Sequence, residues 1–263
     1  MSSQIPSEKQ KSSEDAWAKP TERLQVTHEM PRGAINLNVQ GRQLTNPLQG
    51  FGQMWQKTYR MKLIAPRVPA TGKAAEPRDI IAGWKANFAK FWPRGNNFYA
   101  PLTEIEPGEV AVLNLKGPGG MSLSTGIRVI YADDEQFSFM TPEGHMFAGM
   151  NTFSSYEEDG DVYAQIQALI RASDPAWEFF FKLGIVGKME DRFWSATLEN
   201  LAAYFGSTGK VELKAVLVDP RWNWSSAKNI WHNAAMWSGI YTMTAPFRWV
   251  GEQVRPRKVS GKK

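Results

Sequence analysis

The feature that most constrains this 263-residue chain is an alternation of apolar and polar side chains that recurs through its middle. Val162, Ala164, Ile166, Ala168 and Ile170 form the longest clean run. Successive side chains of an extended strand point to opposite faces, so this spacing puts all five on one face of a sheet. Met121, Leu123, Thr125, Ile127, Val129 and Tyr131 repeat the pattern, and Phe137 with Phe139 carries it through a short strand. Val110 to Leu115 and Ala148 to Tyr156 read the same way. Turn signals separate the runs: Gly117-Pro118-Gly119-Gly120, Asp133-Asp134-Glu135 and Asp159-Gly160, the last a strong two-residue hairpin pair. The middle of the chain is therefore a run of antiparallel strands joined by short hairpins.

Helical spacing brackets the strands. Pro77 and Asp79 open a helix with Ile80, Ile81, Trp84, Phe88 and Phe91-Trp92 on one side, stopped by Pro93-Arg94-Gly95. Asp174 is a good N-cap with Pro175 at the first helical position, and apolar residues from Trp177 to Phe205 predict one long helix ending at Gly206. Gly184 and Gly187 inside it cost about 1 kcal/mol each relative to Ala, which implies close packing or a kink. Phe51, Trp55 and Tyr59 fit a helix face or an aromatic strand equally well. The expected fold class is α+β, a curved antiparallel sheet gripping a long C-terminal helix.

The absence of Cys removes disulfide scaffolds, thiol nucleophiles and thiolate metal sites, and three scattered His make a His-based metal centre hard to build. Walker, G-x-S-x-G and H-E-x-x-H motifs are missing, so no cofactor and no metal is indicated. The net charge of +5 is uneven: residues 1–32 are neutral, 33–206 carry −2 and 207–263 carry +7. A nucleic-acid binder would interleave Lys and Arg with aromatics on one face, so nucleic acid is not an expected partner. Residues 1–32, rich in Ser, Glu, Lys and Gln, read as a disordered tail; 33–206 as the helix-grip domain; 207–263 as an extension. The first residues lack the apolar stretch of a signal peptide, and the expected location is cytoplasmic.

The stretch Phe139-Met140-Thr141-Pro142-Glu143-Gly144-His145, then Gly149, Phe153, Asp159-Gly160-Asp161-Val162 and Ile170-Arg171-Ala172-Ser173, resembles an uncharacterised "domain of unknown function" family of plants and actinobacteria. The resemblance covers roughly Leu102 to Phe205. That family is in turn similar to the START-like, polyketide-cyclase-like helix-grip superfamily. The resemblance implies a cavity between sheet and helix for lipids, sterols, polyketides or other apolar small molecules, and it brings no catalytic residues.

On the residues alone, the apolar sheet face opposite the aromatic helix is either a filled core or a lined pocket. Small side chains at Gly126, Ala164 and Ala168 leave volume for a pocket. The candidate ligand-facing set is Ile127, Val129, Phe139, Phe153, Ile166, Ala168, Arg171, Trp177, Phe181 and Trp194, with Arg171 offering a fork for a carboxylate or phosphate. His145 beside Glu143 is the acid/base candidate, and a cyclase- or hydratase-like enzyme is the alternative to a binding protein. In the extension, Asn229 to Phe247 carries no Asp, Glu, Lys or Arg but is too polar to span a membrane. Trp231, Trp237, Tyr241, Phe247 and Trp249, followed by Arg255, Arg257 and Lys258, suit an anionic membrane surface, a protein partner or docking on the body. An accessory subunit that docks through this extension is the third reading.

Overall fold

The computed structural model of the chain describes residues 14–27, 35–99, 105–117, 120 and 122–244. Its frame is β1 (Leu44–Thr45), β2 (Met54–Leu63), β3 (Asn97–Tyr99), β4 (Val110–Lys116), β5 (Ser122–Ala132), β6 (Gln136–Pro142), β7 (Phe147–Glu158), β8 (Asp161–Ala172) and β9 (Val211–Asp219). The pairings are antiparallel in the order β3-β4-β5-β6-β7-β8-β2-β9, with β1 on β6. Asp159 and Gly160 adopt left-handed backbone (φ 54° and 79°) at the β7–β8 hairpin, the conformation that two-residue hairpins require. Phe51, Trp55 and Tyr59 prove to lead into and along a strand: β2 buries Tyr59, Met61 and Leu63 and pairs with β8 from Met54↔Arg171 to Leu63↔Val162.

Among the described residues, four α-helices accompany the sheet: α1 (Pro77–Asn87), α2 (Pro175–Lys182), α3 (Ile185–Tyr204) and α4 (Ala234–Met243). Asp174 caps α2 by accepting from the backbone N–H groups of Ala176 and Trp177. The single helix expected over 174–206 is divided. Gly184 takes φ 71°, a left-handed conformation that costs an L-residue about 1–2 kcal/mol, and it ends α2 and starts α3 on a new axis. Gly187 is an ordinary residue of α3, where a Cβ would meet only the Phe181 ring at 3.5 Å. Along α3, Trp194, Leu198, Leu201, Ala202 and, just past its end, Phe205 are buried, a 3.6-period stripe facing the sheet. The fold is an α+β helix-grip with a kinked rather than continuous helix.

Residues 14–27 correct the expectation of a disordered tail over that stretch. Leu24 is buried with Val39 and Val112, its N–H donates to Arg42 O at 2.7 Å, and Trp17 packs edge-on against Tyr131. Arg128, buried, ties the segment down by donating from Nη2 to Lys19 O at 2.7 Å. The remainder of residues 1–32 lies outside the described residues. At the other end, β9 adds to β2 and α4 packs on β5, so Gly206 does not end the sheet. Asn233 holds α4 in place. Its Oδ1 accepts from Ala235 and Met236 N–H, while its Nδ2 donates to Asp174 Oδ2 at 2.8 Å.

Candidate functional site

The space between sheet and helices is filled at one end and hollow at the other. At the filled end α1 drives Trp84 into Phe137 and Phe153, and the 3-10 turn Phe88–Phe91 adds Phe88. Phe137 and Phe153 stack at 4.8 Å with planes 9° apart, and Trp84 meets both edge-on. Such pairs contribute about 0.5–1.5 kcal/mol each beyond their burial. At the other end, between β4–β8 and the first half of α3, lies a cavity of about 770 Å³. Trp92, Leu113, Ile127, Phe139, Phe147 and Trp194 are among its walls. Exposed Leu183 and Ile185 from the α2–α3 break form part of its rim, beside the exposed cations Lys116, Lys188 and Arg192.

Of the ten expected ligand-facing residues, Ile127, Phe139 and Trp194 line this cavity. Val129, Phe153 and Ile166 belong to the packed core around Trp84, and Ala168 and Trp177 to a second packed cluster with Phe147 and Val186. Phe181 packs between Trp55 and Phe147, with ring centroids 6.3 and 6.0 Å away. Arg171 is tied up in structure: Nη1 donates to the carbonyls of Gly52 (2.9 Å) and Arg221 (3.0 Å), and Nη2 pairs with Asp219. The small-residue argument is also corrected. Ala164 and Ala168 are fully covered, and Gly126 faces the other side of the sheet, where a Cβ would come within 2.7 Å of a Val39 methyl. Strand period assigns a side chain to a face; it carries no information on how deeply the opposing helix settles there.

His145 does line the cavity, but without the expected partner. Nδ1 lies 3.1 Å from both the N–H and the carbonyl of Phe147, so the Phe147 backbone engages this nitrogen in either tautomer, as donor to it or as acceptor from it. Complete burial pushes the imidazole down to about 4, partly opposed by the Phe147 backbone contact, so the ring is neutral at pH 7. Glu143 turns away, its Oε1 standing 3.3 Å from His232 Nδ1. No His145–Glu143 dyad forms: Gly144 between them takes left-handed backbone (φ 84°), and the two side chains have different partners.

A further polar group of the wall is one that the sequence reading passed over. Glu190 lies in the buried stripe Val186-Glu190-Trp194 of α3 and lines the cavity. Lys57, on the same β2 face as Trp55, Tyr59 and Met61, reaches it at 2.9 Å and Asp191 at 2.7 Å; the Tyr59 hydroxyl donates to Asp191 at 2.7 Å. A charged residue in the apolar phase of an element is the signal that would have found both. Burial raises Glu190 to about 7 despite the attraction of Lys57. For Lys57, burial alone lowers the pKa, yet Glu190 and Asp191 together outweigh it and raise it. Among the described residues no group of His, Asp and Glu is placed to hold a metal ion.

In the extension, α4 buries Ala234 and Ser238, and Ser238 Oγ accepts from Ser124 N–H at 3.1 Å. Its outer side leaves Trp237 36% and Tyr241 37% exposed, and Trp231, in the 3-10 turn Trp224–His232 before it, is 71% exposed and accepts at its carbonyl from Trp237 Nε1. Phe247, Trp249, Arg255, Arg257 and Lys258 lie outside the described residues. Among the described residues no helix is long and apolar enough to cross a membrane.

Residues 76–186 match the family described as "Domain of unknown function (DUF1990)", so the resemblance to an uncharacterised family of that kind holds over this segment. No curated protein matches the chain. Among solved structures the chain is similar to protein Ms6760 from Mycobacterium smegmatis, at 18% identity over 56% of this chain and 88% of that one, with a TM-score of 0.36. It is similar to a START superfamily protein, also from Mycobacterium smegmatis, at 16% identity over 59% and 98%, TM-score 0.37. A protein from Arthrobacter aurescens matches at 10% identity over 57% and 86%, TM-score 0.40.

Proposed function

We propose that this protein binds an apolar small molecule, of lipid, sterol or polyketide type, in the cavity between the sheet and α3. The observation that supports the reading is the cavity itself: about 770 Å³, within the roughly 300–1,000 Å³ usual for small-molecule sites, with Trp, Phe, Leu, Ile and Met side chains among its walls. Burying apolar ligand surface there contributes about 25 cal/mol per Å² before the cost of immobilising the ligand. His145 serves this reading as a neutral hydrogen-bonding group. An imidazole held near 4 is a weak base at pH 7, and without a carboxylate partner it makes a poor proton shuttle, which disfavours the cyclase- or hydratase-like alternative.

Titration with the neutral fluorophore N-phenyl-1-naphthylamine tests the reading. Uptake with saturable blue-shifted emission is expected, and Ile127→Trp, which fills the cavity from β5, abolishes it while the protein stays folded. Absence of uptake by the folded wild-type protein would overturn the proposal.

A second element concerns where the ligand is met. Trp231, in the 3-10 turn Trp224–His232 before α4, and Trp237 and Tyr241 on α4 are exposed side chains that favour the headgroup level of a bilayer, and the chain beyond is basic. On this reading the protein works at an anionic membrane surface. Co-sedimentation with phosphatidylserine vesicles, lost in a Trp231→Ser/Trp237→Ser variant, is the expected result; equal sedimentation of both proteins would reject it.

A further inference from the structure

Building on the apolar-ligand reading, we propose that the ligand is uncharged and carries a hydroxyl group, which is held by Asn151 with Glu190 beside it. Asn151 lines the cavity, yet among the described residues its amide makes no hydrogen bond, and its Oδ1 is buried without a partner. A buried amide oxygen without a donor is the costly arrangement for a polar group. The strand registers place it. Phe139, Asn151, Ala168 and Lys57 are successive cross-strand partners on β6, β7, β8 and β2, and so share one row and one face. Two strand spacings, roughly 10 Å, separate Asn151 from Lys57, whose ammonium holds Glu190 down from α3. Amide and carboxylate thus stand at the two ends of one cross-strand row, with Ala168 between them, on a wall whose other polar members include Thr141 and His145.

A hydroxyl suits that pair because it donates and accepts at once: it can give its proton to Asn151 Oδ1 or to Glu190, and take one from Asn151 Nδ2. A carbonyl could only accept. An anionic head would stand beside Glu190 and Asp191, whose shared counter-charge, Lys57, is already engaged by both at 2.9 and 2.7 Å. A cationic head would have to displace that ammonium.

The test compares three probes of one skeleton, naphthalene, 2-naphthol and 2-naphthoate, titrated at pH 7 into the full chain and into Asn151→Leu and Asn151→Ala. Without a polar partner the hydrocarbon binds best, since it is the probe worst accommodated by water. The proposal expects 2-naphthol to bind about tenfold more tightly than naphthalene in the wild-type protein, a gap of one good hydrogen bond. It expects both variants to keep naphthalene and lose the preference. Naphthalene bound as tightly as naphthol, a preference for naphthoate, or a naphthol preference that survives both substitutions would overturn the hydroxyl assignment and leave the apolar cavity standing. Failure of all three probes to bind would overturn the cavity reading along with it.

Discussion

His145 and Glu190, two residues of one cavity wall, respond to burial in opposite senses, and the pH dependence of stability follows. The imidazole falls from 6.5 to about 4 on folding, so between those values the unfolded chain binds more protons and stability drops as pH falls, by roughly 3 kcal/mol in all. Glu190 rises from 4.5 to about 7, so over that window the folded chain binds more protons and stability grows as pH falls. The two effects oppose each other between about pH 4.5 and 6.5. His145→Gln is therefore expected to gain stability relative to wild type as pH drops through this range, and Glu190→Gln to lose it, with Asp191 still holding Lys57. Urea midpoints at pH 7 and 5 check both signs; parallel shifts in the two variants would contradict the account. At this scale the sequence was least legible. His145 was read as an acid/base group with Glu143, which the structure turns toward His232 instead, and Lys57 and Glu190 were passed over although each interrupts an apolar stripe. Ionic partners come from different elements, and no local spacing links residue 57 to residue 190.

Among the elements, the two glycines near the start of α3 separate cleanly by mechanism. Gly184→Ala places a Cβ on left-handed backbone in otherwise open space and is expected to cost about 1 kcal/mol. Gly187→Ala, on helical backbone with only ordinary contact to Phe181, is expected to stabilise by about 0.5 kcal/mol through helix propensity. Thermal denaturation distinguishes them by sign. Asn233→Ala removes the cap of α4 and leaves Asp174 Oδ2 without its partner, at an expected cost of about 1–3 kcal/mol. Hydrogen exchange should then speed up in α4 before the sheet is affected; uniform acceleration would argue against a local clasp. Strands were the most legible elements, because alternation from Val110 to Ile170 and the Asp159-Gly160 turn are local signals that tertiary packing had no reason to override. The α2–α3 break was half legible, since the glycine cost was visible but the backbone conformation that required it was not.

Taken whole, the molecule is a sheet that needs both ends of the chain. From the N-terminal side Ala16 and Leu24 bury their side chains against it, and β9 completes it by pairing along β2. A chain cut after residue 206 would leave the β2 edge unpaired and α4 gone, and is expected to aggregate or to unfold at much lower urea; wild-type stability in that truncation would refute this. The N-terminal tie could not be read from composition, because sparse apolar residues that cannot build a core can still dock on one already formed. The helix-grip plan itself was legible from element order, whereas the division of its interior was not: α1 fills one half with Trp84 and Phe88, and the hollow lies in the other. That hollow is the central claim, and native mass spectrometry of the full chain purified from its own host, with extraction of whatever travels with it, tests it most directly. The account predicts a lipid- or polyketide-sized uncharged molecule that is released on denaturation. A clean protein mass that takes up no apolar probe would contradict it.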